Sequence, residues 1–224
     1  MLQVTEEWVN AFPGAHVGIL LMTNVLNPTG HTRLEERKRQ VEQEIRSRFA
    51  GASRATIRDL PTMKAYRGYY QRFGDTYHVQ LQLESVALHG KEIPRSSSLV
   101  EAMFISELEN HLLTAGHDNQ AIEPPIILDV SKGNERYVRI NGQEQTPKAG
   151  DMMISDALGV MSCIIHGPDS RTRIKAETTE VLYTAYAPNG VGADAVREHL
   201  LDIQANVLLV SLEARVELLT VFGS

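Results

Sequence analysis

Ile93-Pro94-Arg95-Ser96-Ser97-Ser98-Leu99-Val100-Glu101 opens the stretch that decides the fold, and Leu112-Leu113-Thr114-Ala115-Gly116-His117-Asp118 closes it. Pro94 fixes its own φ and holds Ile93 out of the helical region, so the chain arrives extended. Ser98 is placed to cap a helix, with Glu101 three residues on to complete a capping box. Val100, Met103, Phe104, Leu108 and Leu112 then recur at the helical period, which predicts one buried face and an end before Gly116. His117-Asp118 follows as a loop. Polar side chains at both ends of a buried helix are what a binding pocket needs.

Upstream, Ala15 to Val25 is nearly continuous apolar after Pro13-Gly14 and reads as a central strand. Asn27-Pro28-Thr29-Gly30 is a turn. Thr32 with Glu35 opens a charged helix that carries a thin stripe of Leu34, Val41, Ile45 and Phe49. A second helix follows Pro61, with Met63, Tyr66, Tyr70 and Phe73 on one face and Gly74 at its end. Val79 to Glu84 alternates like a strand, while Val79, Leu83, Val86 and Ala87 also fit a helix.

Downstream, Pro124-Pro125 marks a joint between a helix-rich lobe, roughly 1–123, and a strand-rich lobe, 124–224. Strands are expected at Ile126–Val130, Arg136–Ile140, Met152–Ser155, Gly159–Ile165 and Glu180–Ala187, with a hairpin turn at Asn141-Gly142. Ala193 to Val210 reads as an amphipathic helix and Arg215 to Phe222 as an edge strand. The order is mixed, which predicts an α+β fold in a single domain spanning 1–224.

At 224 residues, 42% hydrophobic and 22% charged, the composition is that of a globular chain with one substantial core. No apolar run approaches the ~20 residues that span a bilayer, and the first residues lack the pattern of a signal peptide. Cys163 is the single cysteine, so no intrachain disulfide forms. A cytoplasmic location is expected. The formal net charge is −6, yet between Arg33 and Arg72 eleven Lys/Arg stand against five Asp/Glu. That local excess marks either a phosphate-facing surface, with Arg37, Lys38, Arg39 and Arg67 as RNA contacts, or a solvated helix with pairs such as Glu35-Arg39 and Glu42-Arg46.

The scattered histidines and lone cysteine form no metal-ligand spacing, and there is no phosphate-loop or dinucleotide fingerprint, so neither metal nor cofactor is expected. Gly-x-Ser-x-Gly is absent as well. His117-Asp118 is the best titratable pair in the sequence and is able to hold a water near neutral pH. The alternative has Asp118 capping the next turn. Arg171-Thr172 offers a fork of donors and a hydroxyl, or an ordinary salt bridge to a residue such as Asp169. Ser96 and Ser97 beside Ser98 stand at a helix start that favours an anion. Asp156, before Gly159, either lines the same cleft or serves its turn. Tyr66, Tyr69 and Tyr70 with Arg67 and Arg72 are able to stack on bases or to build core. Arg95, Ser97, His117, Asp118, Asp156 and Arg171 are expected to converge on one cleft.

The order of Tyr66-Arg67, Phe73-Gly74, Gly90 with Ile93-Pro94-Arg95, Leu99-Val100-Glu101, Gly116-His117-Asp118, Asp156 with Gly159-Val160, and Arg171-Thr172-Arg173-Ile174 resembles one known family. It is the editing (B3/B4) domain of the phenylalanyl-tRNA synthetase beta subunit, in a free-standing form, over about Phe12 to Tyr186. The chain departs from that family's pattern at several points. Ser96-Ser97 replace an apolar residue and Asn, and Glu101 replaces Asp. Phe104 and Glu107 fall where Asn and Ser are common, and the family's loop histidine would fall near Ala115.

The resemblance implies a helix at Val79–Glu84, a tRNA or aminoacyl-tRNA partner, and hydrolysis of a mischarged aminoacyl-tRNA ester. His117 and Asp118 would then be catalytic, with Arg95, Ser96, Ser97, Asp156, Arg171 and Thr172 binding substrate. The family's substrate, tyrosine on a phenylalanine tRNA, does not carry over through these departures. A non-catalytic module for RNA or a small amino-acid-like ligand, and a small-molecule enzyme on a reused fold, stand as alternatives.

Overall fold

The computed structural model describes residues 2–224. After strand β1 (Leu2–Val4) and helix α1 (Glu6–Ala11), the apolar run forms strand β2 (His16–Thr23). Five helices follow: α2 (Thr32–Arg48), α3 (Arg54–Arg58), α4 (Pro61–Gln71), α5 (His78–His89) and α6 (Ser98–Asn110). Strands β3 (Leu113–Asp118), β4 (Ile126–Val130), β5 (Tyr137–Val138), β6 (Glu144–Gln145), β7 (Met152–Asp156), β8 (Gly159–Cys163), β9 (Gly167–Pro168) and β10 (Glu180–Ala187) come next. Helix α7 (Ala193–Leu208) and strand β11 (Arg215–Gly223) complete the α+β fold.

One sheet has the order β11-β2-β10-β3 and is antiparallel throughout; a second has the order β1-β4-β7-β8-β9, with β1 parallel to β4, and β5 pairs with β6 in a two-stranded hairpin. Helices α6 and α7 cover one face of the first sheet. The approach is close: a Cβ on Gly18 of β2 would lie 2.5 Å from Val196 Cγ1 and 2.8 Å from Leu200 Cδ1. The other face meets the second sheet, where His117 and Tyr186 both reach Ser162 of β8. Pro124-Pro125 does separate helix-rich from strand-rich sequence, but strands from both sides of it share the four-stranded sheet. One buried apolar cluster runs from Trp8 and Leu20 to Leu128, Ile154 and Val207.

Several local expectations are corrected. Residues 113–118 form a fully buried strand rather than a loop, because His111 takes a left-handed turn (φ 63°) and ends α6 before Leu112. Ser97, not Ser98, is the N-cap of α6 and makes no capping bond with its side chain. The cap is supplied from a distance: Pro28 O accepts from Ser98 N, and Asn27 Oδ1 accepts from Leu99 N at 2.9 Å. Glu101 instead reaches back to Ser96 N and to Lys38. Helix α2 likewise starts after His31 without a capping box at Thr32. Residues 78–89 are helical, as the resemblance implied. No helix among the described residues is long and apolar enough to cross a membrane.

Candidate functional site

A cavity of about 410 Å3 opens between α6, β3 and the segment joining β8 to β9. Helix α6 and its N-cap contribute Ser97, Val100, Met103, Phe104 and Glu107, a stripe at helical spacing that turns one face to the opening. From Ser97 to Glu107 the stripe runs ten residues, or ~15 Å at 1.5 Å per residue. Strand β3 supplies Leu113 to Gly116, and Ile164, Ile174 and Tyr186 extend the apolar wall. Gly116 is needed for this shape, since a Cβ there would come within 2.7 Å of Ile174 Cδ1.

Glu107 is the carboxyl on the inner wall. It is 2% exposed, and Thr114 N donates to its Oε1 at 2.7 Å. The Thr114 amide is the one hydrogen bond to this carboxyl among the described residues, and it leaves the other oxygen facing the cavity. Burial raises the carboxyl to about 8, with the Thr114 amide opposing. Behind Glu107, Tyr66 and Tyr77 stack with ring centroids 4.1 Å apart. The Tyr66 hydroxyl accepts from Leu113 N at 2.9 Å and donates to Tyr186 O.

A buried polar chain leads to the same wall. Tyr186 Oη and Ser162 Oγ are 2.6 Å apart, Ser162 Oγ and His117 Nε2 3.2 Å, and His117 Nδ1 and Thr172 Oγ1 2.8 Å. Thr172 in turn donates to Asp169. His117 is fully buried, and desolvation, aided by Arg171, lowers it to about 3, so it is neutral at physiological pH. Cys163 lines the cavity as a thiol, because burial pushes it up to about 12.

The structure divides the expected constellation. Ser96 and Ser97 line the cavity, and Arg95 is exposed just outside it. His117 lies beneath the wall and touches the cavity only through Ser162 and Tyr186. Asp118 points to the opposite face of β3, as alternation along a strand requires. There it accepts from Gln120 N and from Thr178 Oγ1, so it serves as a cap. Asp156 and Arg171 form a bidentate ion pair, both contacts 2.8 Å, and Asp156 also accepts from Glu123, Leu158 and Gly159 amides. Thr172 is buried within the polar chain.

The basic segment is also divided. Lys38 is 4% exposed and is held by Glu101 and Glu35, both at 3.0 Å, so it is not a free RNA contact. Arg37 pairs with Glu109 at 2.6 Å, Arg39 is exposed, and Arg67 is half-buried with a bond to Arg58 O. Tyr66, Tyr69 and Tyr70 are core residues rather than stacking platforms, and Arg72 lies over the Phe12, Tyr69 and Phe73 rings. Glu107, Thr114 and Arg173 escaped the sequence reading. A carboxylate continuing the apolar stripe after Val100, Met103 and Phe104 was the signal present for the first of them.

An N-terminal fragment of the phenylalanyl-tRNA synthetase beta subunit from Pyrococcus horikoshii has a similar fold, with a TM-score of 0.50 and 10% sequence identity. The match covers 100% of this chain and 54% of that one, so the chain spans about half the length of the fragment. At that identity the likeness is one of fold. No protein-family profile matches the chain, and no curated protein matches it in sequence.

Proposed function

We propose that the chain binds the aminoacylated 3′ end of a tRNA and hydrolyses the ester when the attached amino acid is wrong. The observation that carries this reading is the cavity: about 410 Å3, apolar on most walls, and bounded by one helix face running from two serines to a buried carboxyl. Pockets of a few hundred Å3 with few polar groups suit one small ligand moiety. The fold likeness to a tRNA synthetase fragment supports the tRNA half of the proposal.

An aminoacyl ester is already activated, so positioning and polar stabilisation suffice. Water oxygen attacks the carbonyl carbon and the bond to the ribose oxygen breaks. The ribose oxygen takes one of the water's two protons and becomes a hydroxyl, the second proton passes to solvent, and the amino acid leaves as its carboxylate. The Ser96 and Ser97 hydroxyls are the donors nearest the mouth for the carbonyl oxygen. His117 is a positioning residue that fixes Ser162 and Tyr186. Asp118, Asp156, Arg171 and Thr172 fix the segments around it. Arg39 and Arg67, with Arg37 once released from Glu109, face the RNA. Such a substrate places the protein in the cytoplasm.

A second reading, a non-catalytic module that holds the same ligand, draws on the protonated thiol of Cys163 and the buried neutral state of His117. Release of amino acid from a panel of mischarged tRNAs decides between them. Turnover that collapses in Phe104→Asp is the expected result. Binding of aminoacyl-tRNA without turnover selects the module, and absence of both refutes the proposal.

A further inference from the structure

We propose that Glu107 makes this cavity a receptor for a primary ammonium group, so that its ligand carries a free α-amine beside an apolar side chain. The inference rests on the aminoacyl-ester reading and names the chemistry its substrate must have.

A carboxyl buried among Val100, Phe104, Leu113 and Ile164 is poorly solvated when ionised. Among the described residues the protein supplies one amide, from Thr114, and no paired cation: Arg173, at the mouth, is exposed and donates to Ser170 O at 2.6 Å. The charge that would make an ionised Glu107 favourable has to arrive with the ligand. Because Thr114 occupies one oxygen, a bidentate guanidinium fork fits poorly, whereas a compact ammonium needs only the other oxygen. The apolar stripe beside Glu107 receives the side chain, and the ~15 Å run to Ser97 leaves room for the ester and sugar beyond it.

The empty carboxyl titrates near 8, so below that pH an ammonium ligand must displace its proton. Most neighbouring groups do not mimic this between pH 5.5 and 7. Tyr66, Tyr70 and Tyr77 are pushed far above their ordinary range, and Cys163 is raised to about 12. His111 is held to about 4 and His199, beyond Thr114, to about 3. His78, at the mouth, and Asp151, which contacts Cys163 behind the wall and is raised to about 6, are the remaining titratable neighbours, and each requires its own control.

The test is calorimetric titration of the whole chain with L-leucinamide and L-phenylalaninamide, each against its deaminated twin, 4-methylpentanamide and 3-phenylpropanamide. These amides have no ester, so the outcome does not depend on turnover. At least one amine is expected to bind tenfold or more tightly than its twin. Near pH 6 it should release about one proton, read from two buffers of different ionisation heat, and its affinity should rise nearly tenfold per pH unit from 5.5 to 7. Glu107→Gln should abolish the preference while keeping the twin's affinity, and His78→Gln and Asp151→Asn should each leave proton release unchanged. Equal affinity of amine and twin, binding of neither amine, or absence of proton release overturns the proposal, and these wild-type readouts decide even if Glu107→Gln does not fold. Amine binding with proton release but no hydrolysis of any mischarged tRNA would remove the ester reading and leave the amine site standing.

Discussion

Replacing Lys38 by methionine keeps an unbranched apolar stem, one atom shorter, and removes a cation that is 4% exposed. Its Nζ lies 3.0 Å from Glu101 Oε1, and Glu101 is itself 1% exposed. After the change Glu101 keeps a single donor, Ser96 N at 2.8 Å, and its Oε2 has no partner even in the wild type. Breaking a buried pair from one side typically costs about 3–5 kcal/mol. The surviving amide bond sets the lower end, about 3 kcal/mol, which for a chain of this size is a fall in Tm of about 6–12 °C. Urea unfolding of K38M, of E101M and of the double variant measures it. The double variant should recover part of the loss, because an apolar pair of similar volume avoids the stranded charge. A K38M variant within about 0.5 kcal/mol of wild type, or a double variant weaker than K38M, would refute this account.

Gly18→Ala should cost about 1–3 kcal/mol in unfolding experiments, since the new methyl meets Val196 and Leu200 well inside contact distance. His117 and His199 are both held near 3, below their unfolded value, so each contributes stability above about pH 6.5 that is lost as pH falls toward 3. Glu107, raised to about 8, and Asp151, raised to about 6, gain stability over the same range, so the histidine contribution is read in urea as the difference in unfolding free energy between wild type and His117→Asn or His199→Asn. That difference should fall by up to about 1.4 kcal/mol per pH unit between pH 6.5 and 4, and a difference that does not change with pH counts against their burial. Reversing Arg39 and Arg67 together should weaken tRNA binding and reduce the salt slope by roughly 1 to 2, with unchanged binding assigning that surface to solvent. Limited proteolysis near Pro124 should yield no two stable halves, because strands from both sides share one sheet.

The α+β class, the central strand at 16–23, the edge strand at 215–223 and the hairpin at Asn141-Gly142 were legible because each rests on a local signal: apolar continuity, alternation or a turn dipeptide. Residues 113–118 were not, because Leu112 and Leu113 continue the helical period while a left-handed His111 breaks it, a conformation few side chains other than Gly and Asn advertise. The cap of α6 was equally hidden, since Asn27 lies far away in sequence. At the site, Ser96 and Ser97 were readable from the helix start, but the direction of a side chain on a buried strand depends on register. Register put His117 under the wall and Asp118 behind it. The burial of Lys38 depends on Glu101, and charge patterning along α2 alone does not reveal it.

The placement of β2 has a consequence for synthesis. Its neighbours in the sheet are residues 180–187 and 215–223, so this nearly unbroken apolar strand has no partner until on the order of 160 further residues have been made. At ordinary elongation rates that is a wait of roughly 10–30 s. Helices α2 to α6 form from local contacts during that time, but the strand they enclose stays open to wrong pairings. A nascent chain stalled before residue 180 should therefore be a strong client for a holding chaperone, and one stalled well beyond residue 223 should not.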